Sequence, residues 1–165
     1  MPEVEQTKNL SAIITAAVDE HGSHADAFVP ILLEINRQFG YIPSEAIQLV
    51  RQALHQAADQ TLVSEGQLYG LATFYSMLST EKLGRHVVQF CESAPCHVEG
   101  GRELWKALQR ELHLHAGQTD PQGRFTLKTV SCIGVCAAGP VILVDEDLYA
   151  SVTPAQLPGI FARYE

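Results

Sequence analysis

Cys91-Glu-Ser-Ala-Pro-Cys96 and Cys132-Ile-Gly-Val-Cys136 contain all four cysteines of the chain, a Cys-x4-Cys pair and a Cys-x3-Cys pair separated by residues 97–131. Each pair follows a segment that reads as a strand. Arg85 to Phe90 (Arg-His-Val-Val-Gln-Phe) runs directly into Cys91, and Phe125 to Val130 alternates before leading into Cys132. If the two strands are neighbours in one sheet, both loops leave at the same edge and four thiols converge. Thiolates are soft ligands that select zinc, copper(I) or iron–sulfur clusters. Structural zinc knuckles mostly space paired cysteines by two residues, and these gaps are wider. The loops are also rich in small residues: Ser93, Ala94 and Pro95 in the first, Gly134, Ala137, Ala138 and Gly139 around the second. Small residues let backbone amides approach cluster sulfurs. A [2Fe–2S] centre with two cysteines per iron fits this pattern best. A zinc site and thiol redox chemistry are the alternatives, the latter without the usual Cys-x-x-Cys.

Outward from the cysteines, Gly100-Gly101 precedes a helix with Leu104, Trp105, Leu108 and Leu112 on one face. Asp120-Pro-Gln-Gly123 reads as a turn. Val141 to Val144 and Leu148 to Ser151 flank Asp145-Glu146-Asp147 as a hairpin, and Thr153 with Pro154 opens a last helix ending near Arg163. Strand, helix, strand, hairpin, helix is a compact α/β unit resembling a thioredoxin-like domain. Upstream the period is helical. Leu10 to Val18 forms one stretch after a polar, frayed 1–9 segment. Ile31, Leu32, Ile35 and Phe39 form a face that Gly40 ends, Ser44 caps a helix from Glu45 to about Ala58, and Ser64 with Gln67 is a capping box for a helix through Tyr75. The expected architecture is mixed α+β or α/β: an N-terminal helical bundle over 1–82, followed by a thioredoxin-like domain over 83–165.

The chain has 165 residues and a formal charge of −8, with ten acids against four bases in residues 1–82 and nine against seven in 83–165. That balance argues against nucleic-acid binding, which needs a basic footprint. The N-terminus lacks a basic region leading into an apolar stretch, and no window is long and apolar enough to span a bilayer. A cytoplasmic protein is expected. In that compartment cysteines serve metals or thiol chemistry more often than disulfides.

Further segments sharpen the reading. Phe39-Gly-Tyr-Ile-Pro43, Tyr69-Gly-Leu-Ala-Thr-Phe-Tyr75, Gly84-Arg-His-Val-Val88, Cys96-His97, Gly117-Gln-Thr119, Gly123-Arg-Phe-Thr-Leu127, Cys132-Ile-Gly-Val-Cys136 and Gly139-Pro140 occur in that order. Together with the Cys-x4-Cys spacing they resemble the thioredoxin-like [2Fe–2S] ferredoxin family. That family includes the small iron–sulfur subunit beside the flavoprotein of respiratory complex I, and matching parts of NAD-linked hydrogenases and NAD-dependent formate dehydrogenases. The resemblance implies that Cys91 and Cys96 bind one iron and Cys132 and Cys136 the other. It also implies a flavoprotein partner carrying FMN and NAD(H) and a larger iron–sulfur subunit, with NADH:quinone oxidoreductase the favoured parent complex. The stretch Ala58 to Ser64 is longer than the family's usual connection, and Cys136-Ala-Ala-Gly is apolar where some relatives carry charge.

Other residues receive plainer readings. A role for His97 as a Rieske-type ligand is set aside in favour of a loop hydrogen bond, since four cysteines already suffice. His113 and His115 are expected at the surface near a helix end. Glu92 and Glu99 either lower a cluster's potential or are simply solvated, and Asp145-Glu146-Asp147 is expected to face water. The Tyr69 to Tyr75 aromatics are read as core, and Gly139-Pro140 as a candidate cis bond. No G-x-G-x-x-G follows a strand and no P-loop is present, so nicotinamide and flavin are expected on a partner.

Overall fold

The computed structural model describes residues 2–57 and 63–164, with side chains from residue 9 onward. The chain divides into two compact units, Met1–Lys82 and Leu83–Glu165.

The first unit is helical: α1 (Pro2–His21), α2 (Phe28–Phe39), α3 (Ser44–Ala57) and α4 (Glu65–Phe74). Each presents an apolar stripe at helical spacing to a shared core, in which Ile14, Ile31, Leu32, Ile35, Leu54 and Leu68 are among the fully buried side chains. Gly40 ends α2 in the left-handed region (φ 91°), a conformation without a Cβ penalty only for glycine, and its N–H donates to the Asn36 carbonyl. Ser64 and Gln67 form the reciprocal capping box of α4, an arrangement worth about 1 kcal/mol. Three expectations are corrected here. Helix α1 begins at Pro2, a residue suited to a first turn, so the 1–9 segment is not frayed throughout. Ser44 is the first residue of α3 rather than its cap, and Pro43 supplies the carbonyl for the Ala46 N–H. Helix α4 ends at Phe74, with Tyr75 extended. The lengthened connection read over Ala58 to Ser64 falls largely on residues 58–62, outside the described residues.

The second unit is built on a four-stranded sheet: β1 (His86–Cys91), β2 (Phe125–Val130), β3 (Ile142–Val144) and β4 (Asp147–Tyr149), in the order β2-β1-β3-β4. Strands β1 and β2 are parallel, with Cys91 opposite Val130, and β3 runs antiparallel to β1 and β4. The parallel pair needs a crossover. The chain supplies one through α5 (Ala94–Cys96), a kinked turn over His97–Gly101 and α6 (Arg102–Leu112). Phe90, Leu104, Leu108, Leu127 and Ile142 fill the core beneath.

The strands largely match their expected positions, β1 one residue later and β2 as read. The hairpin differs: its turn is Asp145-Glu146, and Asp147 already belongs to β4. The last helix is not continuous either. A Pro154–Gln156 turn of 3-10 helix leads into α7 (Leu157–Phe161), whose Pro158 and Gly159 favour a short helix. The Gly139-Pro140 bond is cis, in agreement with the sequence reading.

Candidate metal centre

Parallel pairing of β1 and β2 sends the loops after Cys91 and Val130 out of the same edge of the sheet. The first cysteine of each pair is therefore placed by a strand end, and the second by a short turn. Cys91 closes β1, with its N–H donating to Val141 O at 3.3 Å. Cys96 lies in the single turn of α5, a helical turn that sequence reasoning misses because three residues show no period. Cys132 follows β2, and Cys136 opens a 3-10 turn (Cys136–Ala138).

The Ser131 carbonyl joins the two loops, accepting from Cys91 Sγ at 3.2 Å and from Ser93 Oγ at 3.0 Å. Cys132 Sγ and Cys136 Sγ lie 3.5 Å apart. Two thiolates on one tetrahedral metal at about 2.3 Å would stand about 3.8 Å apart, so this pair needs little movement to share an ion. Gly134 sits in the left-handed region (φ 93°) and turns its N–H toward Cys132 Sγ at 3.3 Å. Gly139 forms the seam between the pairs. A Cβ built there would lie 3.5 Å from both Cys96 Sγ and Cys136 O.

Burial separates the pairs. Cys91 and Cys96 are buried against Val141, while Cys132 and Cys136 are exposed. Burial alone would raise the Cys91 thiol, but the backbone N–H groups of Ser93 and Ile133 outweigh it and bring it below the ordinary thiol range. Burial raises Cys96, and hydrogen bonding with Cys91 raises it further. The Gly134 N–H lowers Cys132, and hydrogen bonding with Cys132 raises Cys136. Each pair thus joins one thiol prepared for the thiolate form to one that holds its proton, and metal binding must release protons. Charge on Cys136 acts against Cys96, and charge on Cys91 against Cys132. Among the described residues no three Cys, His, Asp or Glu side chains gather around a single ion position. The soft donors stand as two hydrogen-bonded pairs, Cys91 with Cys96 and Cys132 with Cys136, an arrangement that fits a two-iron group.

The remaining expectations resolve individually. Glu92 and Glu99 are exposed, and so are His113 and His115. His97 does not make the expected side-chain hydrogen bond: its Nδ1 is buried and lacks a partner among the described residues. The acidic turn is more than solvated. Asp145 accepts from His86 Nδ1 at 2.7 Å and from the Val87 N–H at 2.8 Å, and Asp147 accepts from the Tyr164 hydroxyl at 2.6 Å. Burial and the Asp147 carboxylate push the Tyr164 hydroxyl far above the ordinary phenol range. The core reading of the Tyr69 to Tyr75 aromatics is corrected: Tyr75 packs on the core, but Tyr69 and Phe74 are 54% and 79% exposed. Helix α4 is amphipathic through Leu68, Leu71 and Ala72, and positions 69 and 74 fall outside that stripe.

Comparison with known proteins agrees with this geometry. A family model described as thioredoxin-like [2Fe-2S] ferredoxin matches residues 14–165. The E subunit of the NADH-quinone oxidoreductase of Escherichia coli (strain K12) is 34% identical over 160 residues, covering 94% of this chain and 92% of that protein. The HndA subunit of the NADP-reducing hydrogenase of Solidesulfovibrio fructosivorans is 33% identical over 136 residues, covering 82% and 75% respectively. In fold, the chain is similar to the crystal structure of an NAD+-reducing [NiFe]-hydrogenase in its air-oxidized state, with TM-score 0.57 and 19% identity, covering 73% of this chain and 22% of that one. Among the described residues no helix is long and apolar enough to cross a membrane.

Proposed function

Since this chain belongs to the thioredoxin-like [2Fe-2S] ferredoxin family, we propose that it is an electron-transfer subunit whose Cys91 and Cys96 hold one iron and whose Cys132 and Cys136 hold the other. The observation that carries the proposal is the convergence of two cysteine pairs at one edge of the β1–β2 sheet, joined at Ser131 and Gly139. When bound, a [2Fe–2S] group supplies one-electron uptake and release. Cys91 and Cys96 set the buried side of that group and limit water there. Cys132 and Cys136 set the exposed side, where a partner's redox centre can approach. The Gly134 N–H already points at a sulfur and needs no reorganisation to stabilise negative charge on it.

The partner is a flavoprotein that binds FMN and oxidises NAD(H). A larger iron–sulfur subunit belongs to the same complex. The similarity to the E subunit of NADH-quinone oxidoreductase, over nearly the whole of both chains, supports NADH:quinone oxidoreductase as the parent. The hydrogenase relative supports an NAD-linked hydrogenase as the second reading, with formate dehydrogenase beside it. Residues 1–82 are the docking unit and residues 83–165 the cluster-holding unit, working in the cytoplasm and at a membrane face only through the complex.

The chain is not catalytic alone. Purified holoprotein is expected to show no NADH-dependent reduction of ferricyanide, and its visible absorbance should bleach once an NADH-reduced flavoprotein subunit is added. Turnover without the flavoprotein, or a chain that stays oxidised beside it, contradicts the assignment.

A further inference from the structure

His97 follows Cys96 directly and is held by the same turn, its backbone N–H donating to Ser93 O at 3.1 Å. Its ring packs edge-on to Phe90, with centroids 6.1 Å apart, and Phe90 in turn packs on Trp105 at 5.1 Å. The ring is therefore fixed by an aromatic wall rather than by polar contacts. Yet Nδ1, the ring nitrogen nearest the backbone, is buried and has no partner among the described residues. Buried polar atoms are almost always satisfied, and one that is not calls for a group that completes it. A bound iron–sulfur group would bring acceptor sulfurs to the neighbouring residue.

We propose that His97 is a donor to the cofactor: its Nδ1–H makes a hydrogen bond to a sulfur of the bound [2Fe–2S] group and raises that group's reduction potential. The inference rests on Cys96 being a ligand. Sulfur on a cluster accepts hydrogen bonds, and the reduced form, with one more negative charge, accepts them more strongly. Donors to sulfur therefore favour reduction. A neutral imidazole carries its proton on one nitrogen, and the environment selects which. A sulfur acceptor at Nδ1 would select the Nδ1–H form.

Three variants of the full chain test this, after iron and sulfide have been measured on each. His97→Asn keeps an amide nitrogen near the Nδ1 position. His97→Gln moves it to the Nε2 position, and His97→Phe removes it while preserving the packing on Phe90. In EPR-monitored redox titrations, the Phe and Gln variants are expected to shift the reduction equilibrium about tenfold toward the oxidised form, a fall of about 59 mV for one electron. Asn should restore most of it. In the metal-free chain, His97→Phe should unfold at a higher denaturant concentration than the parent, because it deletes an unsatisfied buried atom. Equal potentials for the parent, Phe and Gln variants overturn the proposal, as does a Gln variant that matches the parent while Asn does not. If Phe fails to hold the cluster, the Gln and Asn pair decides. A parent chain without iron and sulfide overturns the ligand assignment itself, and the inference with it.

Discussion

Replacing Cys132 with alanine is expected to empty the chain of its cluster while leaving the fold intact. Four-ligand sites in single-ion proteins are worth roughly 10–16 kcal/mol, so one thiolate accounts for about 3 kcal/mol, or two orders of magnitude in retention. Cys132 is exposed and outside the core formed by Phe90, Leu104, Leu108, Leu127 and Ile142, so its loss should not disturb packing. Cys96→Ala should lose the cluster equally. It should also destabilise the metal-free chain, because Cys96 is fully buried and packs with Cys91 and Val141. Iron and sulfide content together with thermal unfolding of the metal-free forms separate the two effects. A zinc-stabilised docking module would behave differently: Cys132→Ala would unfold it. Retention of iron and sulfide by Cys132→Ala at the parent level would remove Cys132 from the ligand set.

Gly101→Ala should be the most damaging substitution that leaves every sulfur in place. A Cβ at Gly101 would stand 2.6 Å from Cys96 O and 2.9 Å from Cys96 C, with Phe90 Cζ at 3.4 Å behind. The close atoms are backbone, so no rotamer change relieves the clash. Either the kinked turn between α5 and α6 opens or Cys96 is displaced. Overpacking of this kind costs about 1–3 kcal/mol. In a unit of this size, each kcal/mol corresponds to roughly 4–8 °C in the unfolding midpoint. The variant should thus melt clearly lower and incorporate less iron, since the displaced backbone carries Cys96, one of the four proposed ligands. Gly159→Ala is the internal control. It has no atom within 4 Å of the added Cβ, lies in a helix, and should be neutral or slightly stabilising. Equal melting of the Gly101 and Gly159 variants would show that the turn yields more easily than its geometry implies.

The convergence of the two cysteine pairs is legible in the sequence because strand period and cysteine spacing are both local signals. Val87, Val88 and Phe90 lead straight into Cys91, and Phe125, Thr126 and Leu127 give the parallel partner that leads to Cys132. What escapes a sequence reading depends on contacts between distant residues or on segments too short to show a period. The His86–Asp145 bond joins positions 59 apart and exists only because β3 pairs with β1. The single turn of α5 is fixed by where the chain must pass to reach α6. The exposed Tyr69 and Phe74 mislead for another reason. Their aromatic character suggests core, although a 100° step per residue places both outside the stripe of Leu68, Leu71 and Ala72.

Anaerobic purification followed by iron, sulfide and zinc analysis, with EPR after dithionite reduction, tests the central claim most directly. The account predicts two irons and two sulfides per chain and an S = 1/2 signal on reduction, as a [2Fe–2S] carrier requires. One zinc per chain, with no colour and no signal even after cluster reconstitution, would contradict it.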